Sequence, residues 1–264
     1  MPEALRAASW PVTAALVFAF FGLLTAMSLA IGFLAEKKVQ GRRIFSVPLA
    51  AGQLRFEAIG NVVFLAITVA TFTVALKSDA IRFAEPSLGR DAGTFFALMI
   101  GFQVFYYFLH RAMHTRPLLW MHRWHHRSQV TTALSAQSMS PVEAAAWMLG
   151  YVGLPLVISL VTPIGFWGWT AYMAFNVSGN VVGHANVELG SAKAGSRAAS
   201  LFANPWLYHA LHHARWTGHY SFQAALMDRA FGTEFSDWPA LFARVQKGRP
   251  LASLKERGDE TSSA

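Results

Sequence analysis

Residues 12–35 run for 24 positions without a charged side chain. A helix rises about 1.5 Å per residue, so this run reaches about 36 Å, enough to cross the hydrocarbon core of a bilayer. A cleaved secretory leader would carry a shorter apolar core, about 7–15 residues, behind a basic start. Here the preceding residues hold only Glu3 and Arg6 as charges, so the expectation is an anchored first span. Composition agrees. The 264 residues are 54% hydrophobic and 14% charged, with a mean hydropathy of +0.34. Ordinary soluble domains carry about 25% charged residues. The net charge of +8 therefore reads as a basic membrane face rather than a nucleic-acid surface, and no nucleic-acid partner is expected. No cysteine is present, which excludes disulfides, thiolate ligands, iron–sulfur clusters and thiol nucleophiles.

Four further apolar stretches follow. One covers residues 58–76. The next starts at Thr94 and runs through Leu109 straight into His110, and a hairpin of 142–161 and 166–182 breaks at Thr162-Pro163-Ile164-Gly165. The expected fold is all-α: an integral-membrane bundle of four to five spans with a cytoplasmic helical cap. The first loop holds Lys37, Lys38, Arg42, Arg43 and Arg55, the hairpin tip holds no basic residue, and Arg111, Arg116, Arg123 and Arg127 follow the third span. Loops rich in Lys and Arg stay cytoplasmic. The N-terminus is then outside and the segments after the third and fifth spans are inside, in a bacterial inner membrane or, as the other option, the endoplasmic reticulum. The expected division is a two-span region (1–93), a histidine-bearing region (94–240) and a polar tail (241–264).

All ten histidines lie between positions 110 and 219, on the side that the basic residues make cytoplasmic. His110 and His114 are four apart; His122, His125 and His126 form one HxxHH, and His209, His212 and His213 another; His184 and His219 stand alone. Residues three and four apart share a helix face, so each HxxHH reads as a three-imidazole patch on one face. Adjacent histidines diverge by about 100°, so His125 and His126, like His212 and His213, both serve only if their helix lies between two metals. Neutral imidazole binds iron, zinc, copper or nickel, and so many suit two metals better than one. The candidate ligands are His110, His114, His122, His125, His126, His184, His209, His212 and His213. Asn180, His219, Glu143 and Asp228 are candidates for the polar groups that orient them. The aromatic run Phe102, Phe105, Tyr106, Tyr107 and Phe108 leads to His110 and could line a lipid tunnel.

HRAMH, HRWHH and HALHH, in that order after apolar spans, resemble the fatty acid hydroxylase/sterol desaturase superfamily of histidine-rich di-iron membrane enzymes. Asn180 with His184, and Asp228-Arg229-Ala230-Phe231-Gly232-Thr233, match further elements of its pattern. Two departures stand out: Ser140-Pro141-Val142-Glu143 replaces a usual His-Pro-x-Glu, and His219-Tyr220-Ser221 replaces a usual Asn-Tyr-Gly. The resemblance implies two iron ions, O2 as co-substrate and attack on an unactivated C–H bond of a lipid, a fatty acyl chain or sterol, by hydroxylation or desaturation. Zinc would be a non-native occupant. With no GxGxxG or CxxCH present, electrons come from a separate carrier such as a ferredoxin or cytochrome. A metal transporter is the non-enzyme alternative, and a b-type cytochrome a second; the first wants ligands in mid-membrane and the second single histidines paired across helices.

Overall fold

The computed structural model describes residues 1–258, and among them the chain is helical with three isolated β-bridges and no strand. Five long helices form the bundle: α1 (Trp10–Lys38), α2 (Gln53–Lys77), α3 (Leu88–Met113), α4 (Pro141–Val161) and α5 (Phe166–Gly183). The first four are long and apolar enough to cross a membrane, and this is a membrane protein. The side of α1 turned away from the bundle exposes Phe18, Leu23, Met27 and Leu34, each more than half accessible, a surface that suits lipid and not water. The fifth helix has 18 residues, carries Asn176, Ser178 and Asn180, and packs between α1 and α3.

Contacts at the helix ends fix their directions. Lys77 Nζ, at the end of α2, donates to the carbonyls of Arg6 and Ala8 just ahead of α1, at 2.9 and 2.7 Å. At the start of α5, the amides of Gly165 and Gly168 donate to Thr94 Oγ1 and Asp91 Oδ1 of α3, both at 2.8 Å. A Cβ on Gly168 would fall 2.1 Å from the Asp91 carbonyl oxygen, so only glycine allows this crossing. Hence α1, α3 and α5 start at one end and finish at the other, while α2 and α4 return. The starts follow local chemistry: Ser87 Oγ accepts from the Arg90 amide, and Ser140 Oγ caps α4 ahead of Pro141, whose missing N–H costs nothing at a first turn. Midway along α4, residues Leu149–Gly153 widen into a π turn. Pro155 cannot donate to the Tyr151 carbonyl, which accepts from Trp169 Nε1 instead at 3.1 Å.

The end where α1, α3 and α5 finish carries a cap built on α6 (Trp206–Arg215) and α7 (Trp238–Gln246). Ile44 and Phe45, from the loop between α1 and α2, join Leu207, Leu211, Trp238 and Phe242 in a second apolar core. Leu251 clasps that loop: its amide donates to the Ile44 carbonyl at 2.8 Å and its carbonyl accepts from the Ser46 amide at 2.9 Å. The stretch expected as a polar tail from residue 241 begins within this cap. The 240/241 boundary falls inside α7, and Leu241, Phe242, Val245 and Leu251 are buried, because the apolar residues recur at helical spacing within a charged stretch. Residues 259–264 of that tail lie outside the described residues.

Candidate metal centre

The histidines gather where the bundle meets the cap. His110 projects from the last turn of α3 and His114 follows its end; His184 caps the end of α5; His209, His212 and His213 lie on α6. Leu119–His122 is a single helical turn and His125–Arg127 a 3-10 turn, joined through Arg123 and Trp124, whose backbones stay in the right-handed helical region. Two groups result: His110, His114, His122, His126 and His212 in one, and His125, His184, His209 and His213 in the other. Within each, the facing ligand atoms lie within 4.8 Å of one another. The expected three-imidazole faces are thus corrected: each HxxHH divides, with His122 and His126 on one side and His125 on the other, and with His209 and His213 parted from His212. The i, i+4 pairs stay together and the remaining member diverges, as 100° per residue requires.

Six of the nine rings are held through their Nδ1 atoms, while the Nδ1 atoms of His126 and His209 are buried without a partner. The Nδ1 atoms of His110, His212 and His213 lie 2.7, 2.7 and 2.9 Å from the carbonyls of Tyr220, Gly218 and Ser128. Those of His184 and His125 lie 2.8 and 3.3 Å from the carbonyls of Asn180 and Ser138. His122 Nδ1 lies 2.7 Å from Glu143 Oε1, which also accepts from Trp147 Nε1 at 3.3 Å. A carbonyl only accepts, so these Nδ1 atoms carry the proton and their Nε2 atoms point inward with a lone pair. Removal from water keeps the rings neutral. Burial lowers the pKa of His114 to about 2, of His122 and His184 to about 3 and of His125 to about 4, and neighbouring histidines deepen the effect at His114 and His184.

The inward geometry fits metal ions. His209 Nε2 stands 3.0 Å from His184 Nε2 and 3.2 Å from His213 Nε2, and both partners have spent their proton on a carbonyl. One N–H cannot serve two lone pairs, so at least one contact sets lone pair against lone pair. His126 Nε2 likewise stands 3.1 Å from the Nε2 atoms of both His114 and His212, and His212 has spent its proton on the Gly218 carbonyl. The Nε2 atoms of His110 and His122 are buried with no hydrogen-bond partner. A cation between the rings satisfies all of them at once, and the two groups can each hold one.

The four candidate orienting residues fare differently. Glu143 reaches a histidine directly. Asn180 does so through its carbonyl, while its side chain turns to the Ala136 carbonyl at 3.4 Å. Asp228 touches no histidine; its carboxylate holds the amides of Tyr220 and Ser221, each at 2.8 Å, with the hydroxyls of Thr233 and Tyr208 at 2.6 and 3.1 Å. It thereby fixes the loop whose Gly218 and Tyr220 carbonyls hold His212 and His110. Gly232 in that signature has φ +66°, a glycine conformation. His219 belongs to neither group. Its ring stacks on Tyr208 with centroids 3.4 Å apart, its Nδ1 donates to the Tyr208 carbonyl at 2.8 Å, and its backbone has φ +56°. Asn tolerates that region better than His or any β-branched residue, which gives the related Asn a backbone reason. His219→Asn is accordingly expected to keep its metal and melt close to wild type, whereas His219→Val, strained by about 1–3 kcal/mol, should melt several degrees lower; thermal unfolding in detergent with metal analysis checks this.

Sequence reasoning missed two residues at the centre. Phe222 packs its ring 4.9 Å from His209 and 5.7 Å from His184. Trp216, at φ +69°, packs 4.6 Å from His126. Buried Glu57 was missed too: it accepts from Ser128 Oγ and Thr132 Oγ1 at 2.6 and 2.7 Å, and so steadies the segment that holds His213. Of the aromatic run, Phe102 and Tyr106 line a cleft beside His110. Tyr107 and Phe108 turn the other way, onto Phe231.

A membrane helical bundle that closes on two buried all-histidine groups defines a class, the histidine-rich membrane proteins with candidate metal centres. The fatty acid hydroxylase family model matches residues 95–233, more than half of the chain, and the chain belongs to that family. It is also similar to a very-long-chain aldehyde decarbonylase, CER1, from Arabidopsis thaliana, at 30% identity over 168 residues. The match covers 59% of this chain and only 24% of the relative, so the chain spans about a quarter of the relative's length. No solved structure matches the chain.

Proposed function

We propose that the protein is a membrane-bound di-iron oxygenase that hydroxylates an unactivated C–H bond of a lipid, a fatty acyl chain, sterol or related molecule, with O2 and external electrons. The observation that carries this reading is the pair of neutral histidine groups whose inward Nε2 lone pairs have no other partner. Redox-inert zinc needs only three or four ligands at one site; a divided set of nine suits paired redox metals. Iron, when bound, supplies O2 activation and the removal of hydrogen from carbon. The chain supplies fixed ligand tautomers, through the carbonyls and Glu143, and a dry surround of Tyr106, Trp147 and Phe222. Hydroxylation consumes O2, two electrons and two protons and yields the alcohol and water; desaturation on the same site consumes the same and yields two waters.

The electrons are proposed to enter from a separate acidic carrier, a ferredoxin or cytochrome. A groove lined by Trp120, Arg123, Trp124 and Arg127 reaches His126 and Trp216, which gives an acidic protein a charged approach to the centre. The Lys and Arg distribution supports a cytoplasmic cap and an external N-terminus, and the N-terminus does begin at the bundle end opposite the histidines. The test is comparative lipidomics of membranes with and without the iron-loaded protein, supplied with O2 and a reducing system. Gains of one oxygen or losses of two hydrogens that require both iron and O2 are expected. Unchanged lipids across saturated acyl, sterol and long-chain aldehyde pools would overturn the reading.

A further inference from the structure

A narrow cleft opens between α3, α4 and α5 and ends at the histidines. Its inner wall is Tyr106 and Phe222, whose rings pack 5.1 Å from His110 and 4.9 Å from His209, so the cleft abuts one histidine of each group. Its lining mixes four aromatic rings with four side-chain amides. Gln103 from α3, Asn176 and Asn180 from one face of α5, and Gln223 from the loop before α7 all border it. Asn176 is already committed: its Oδ1 accepts from Tyr151 and its Nδ2 donates to Tyr172, at 3.1 and 3.0 Å. Gln223 is not. Its Nε2 is buried and has no acceptor.

A buried amide donor left unpaired costs about 1–3 kcal/mol. A saturated hydrocarbon segment in the cleft would leave that donor unpaired beside three other amides. A hydroxyl or carbonyl oxygen would pair with it. The geometry points to recognition of the oxygen-bearing end of the lipid, with its oxygen accepting from Gln223 Nε2, and this rests on the oxygenase reading above. Because the amides stand one aromatic ring away from the histidines, the reacting carbon lies within a few bonds of that oxygen, and the methyl end of the chain points out toward the bilayer.

The test uses the full chain in nanodiscs with tritiated octadecan-1-ol, displaced by unlabelled octadecan-1-ol, methyl octadecanoate or octadecane, after subtraction of uptake by empty nanodiscs. The alcohol and the ester separate hydroxyl from carbonyl recognition. At least one of them is expected to compete roughly tenfold better than octadecane, the worth of one hydrogen bond to a buried group. Gln223→Leu should remove that preference while bound metal stays at the wild-type level. Equal competition by octadecane in the wild type, or an intact preference in Gln223→Leu, would overturn the inference, as would a product oxidised at the methyl end. The wild-type comparison does not depend on the variant folding. Oxygenase failure has a separate signature: no oxidised lipid with any substrate, whatever the binding preference.

Discussion

His184→Ala is expected to lower bound iron from about two ions per chain to about one, with lipid oxidation lost. The second histidine group has four members and the first five, so removing His184 leaves three imidazoles for one metal and an undisturbed set for the other. His125→Ala, His209→Ala and His213→Ala should behave alike. Elemental analysis of variants purified from iron-supplied cells, with circular dichroism to verify folding, gives the readout. Two irons and full turnover in both His184→Ala and His213→Ala would eliminate the paired-metal assignment. Zinc in such samples would count as occupancy of the site, since zinc binds imidazole more tightly than ferrous iron does.

The second large effect is expected at Glu143. Its Oε1 is the acceptor for both His122 and Trp147 in a site with no water-exposed alternative, and the side chain is fully buried. Glu143→Leu leaves two buried donors unpaired and frees the His122 ring to turn. Loss of a carboxylate that orients a metal-binding histidine costs about 10–100-fold in metal affinity, so chelator titration should strip iron from Glu143→Leu at correspondingly lower chelator concentration. Glu143→Gln keeps an acceptor oxygen and should retain most of the affinity. Equal loss in both would mean that the carboxylate's charge matters, and no loss in either would mean that His122 is held by its surroundings alone.

The helices and their directions were legible because uncharged runs longer than 18 residues leave few alternatives, and because basic residues mark the loops. The histidine set was legible for a similar reason: ten imidazoles confined to 110–219 and spaced three and four apart are hard to obtain by chance. Helical spacing parts His125 from His126 and His212 from His213, but which histidines of other helices join each of them appeared only in three dimensions. Most acceptors behind the histidines are backbone carbonyls, of Ser128, Ser138, Gly218 and Tyr220, and a carbonyl leaves no mark in a sequence. Glu143 and Asp228 were both candidates because each carries a carboxylate near the clusters; Glu143 lies against His122, and Asp228 one step further out, behind the loop that holds His110 and His212. The buried helix α7 was hidden by its charged neighbours, although Trp238, Leu241, Phe242 and Val245 keep a three-and-four spacing that could have exposed it.

The clasp made by Leu251 sets an order of events during synthesis. His110 and His114 are made roughly halfway through the chain, at the end of a helix that inserts early, yet each histidine group is incomplete until α6 has been made. The cap that carries α6 gains its second core only when Trp238 and Leu251 meet Ile44 and Phe45, near the last described residues. A nascent chain therefore carries half-built clusters of imidazole until α6 and the second core are complete. A chain cut just before Trp238 should reach the membrane with all nine histidines present and hold iron poorly.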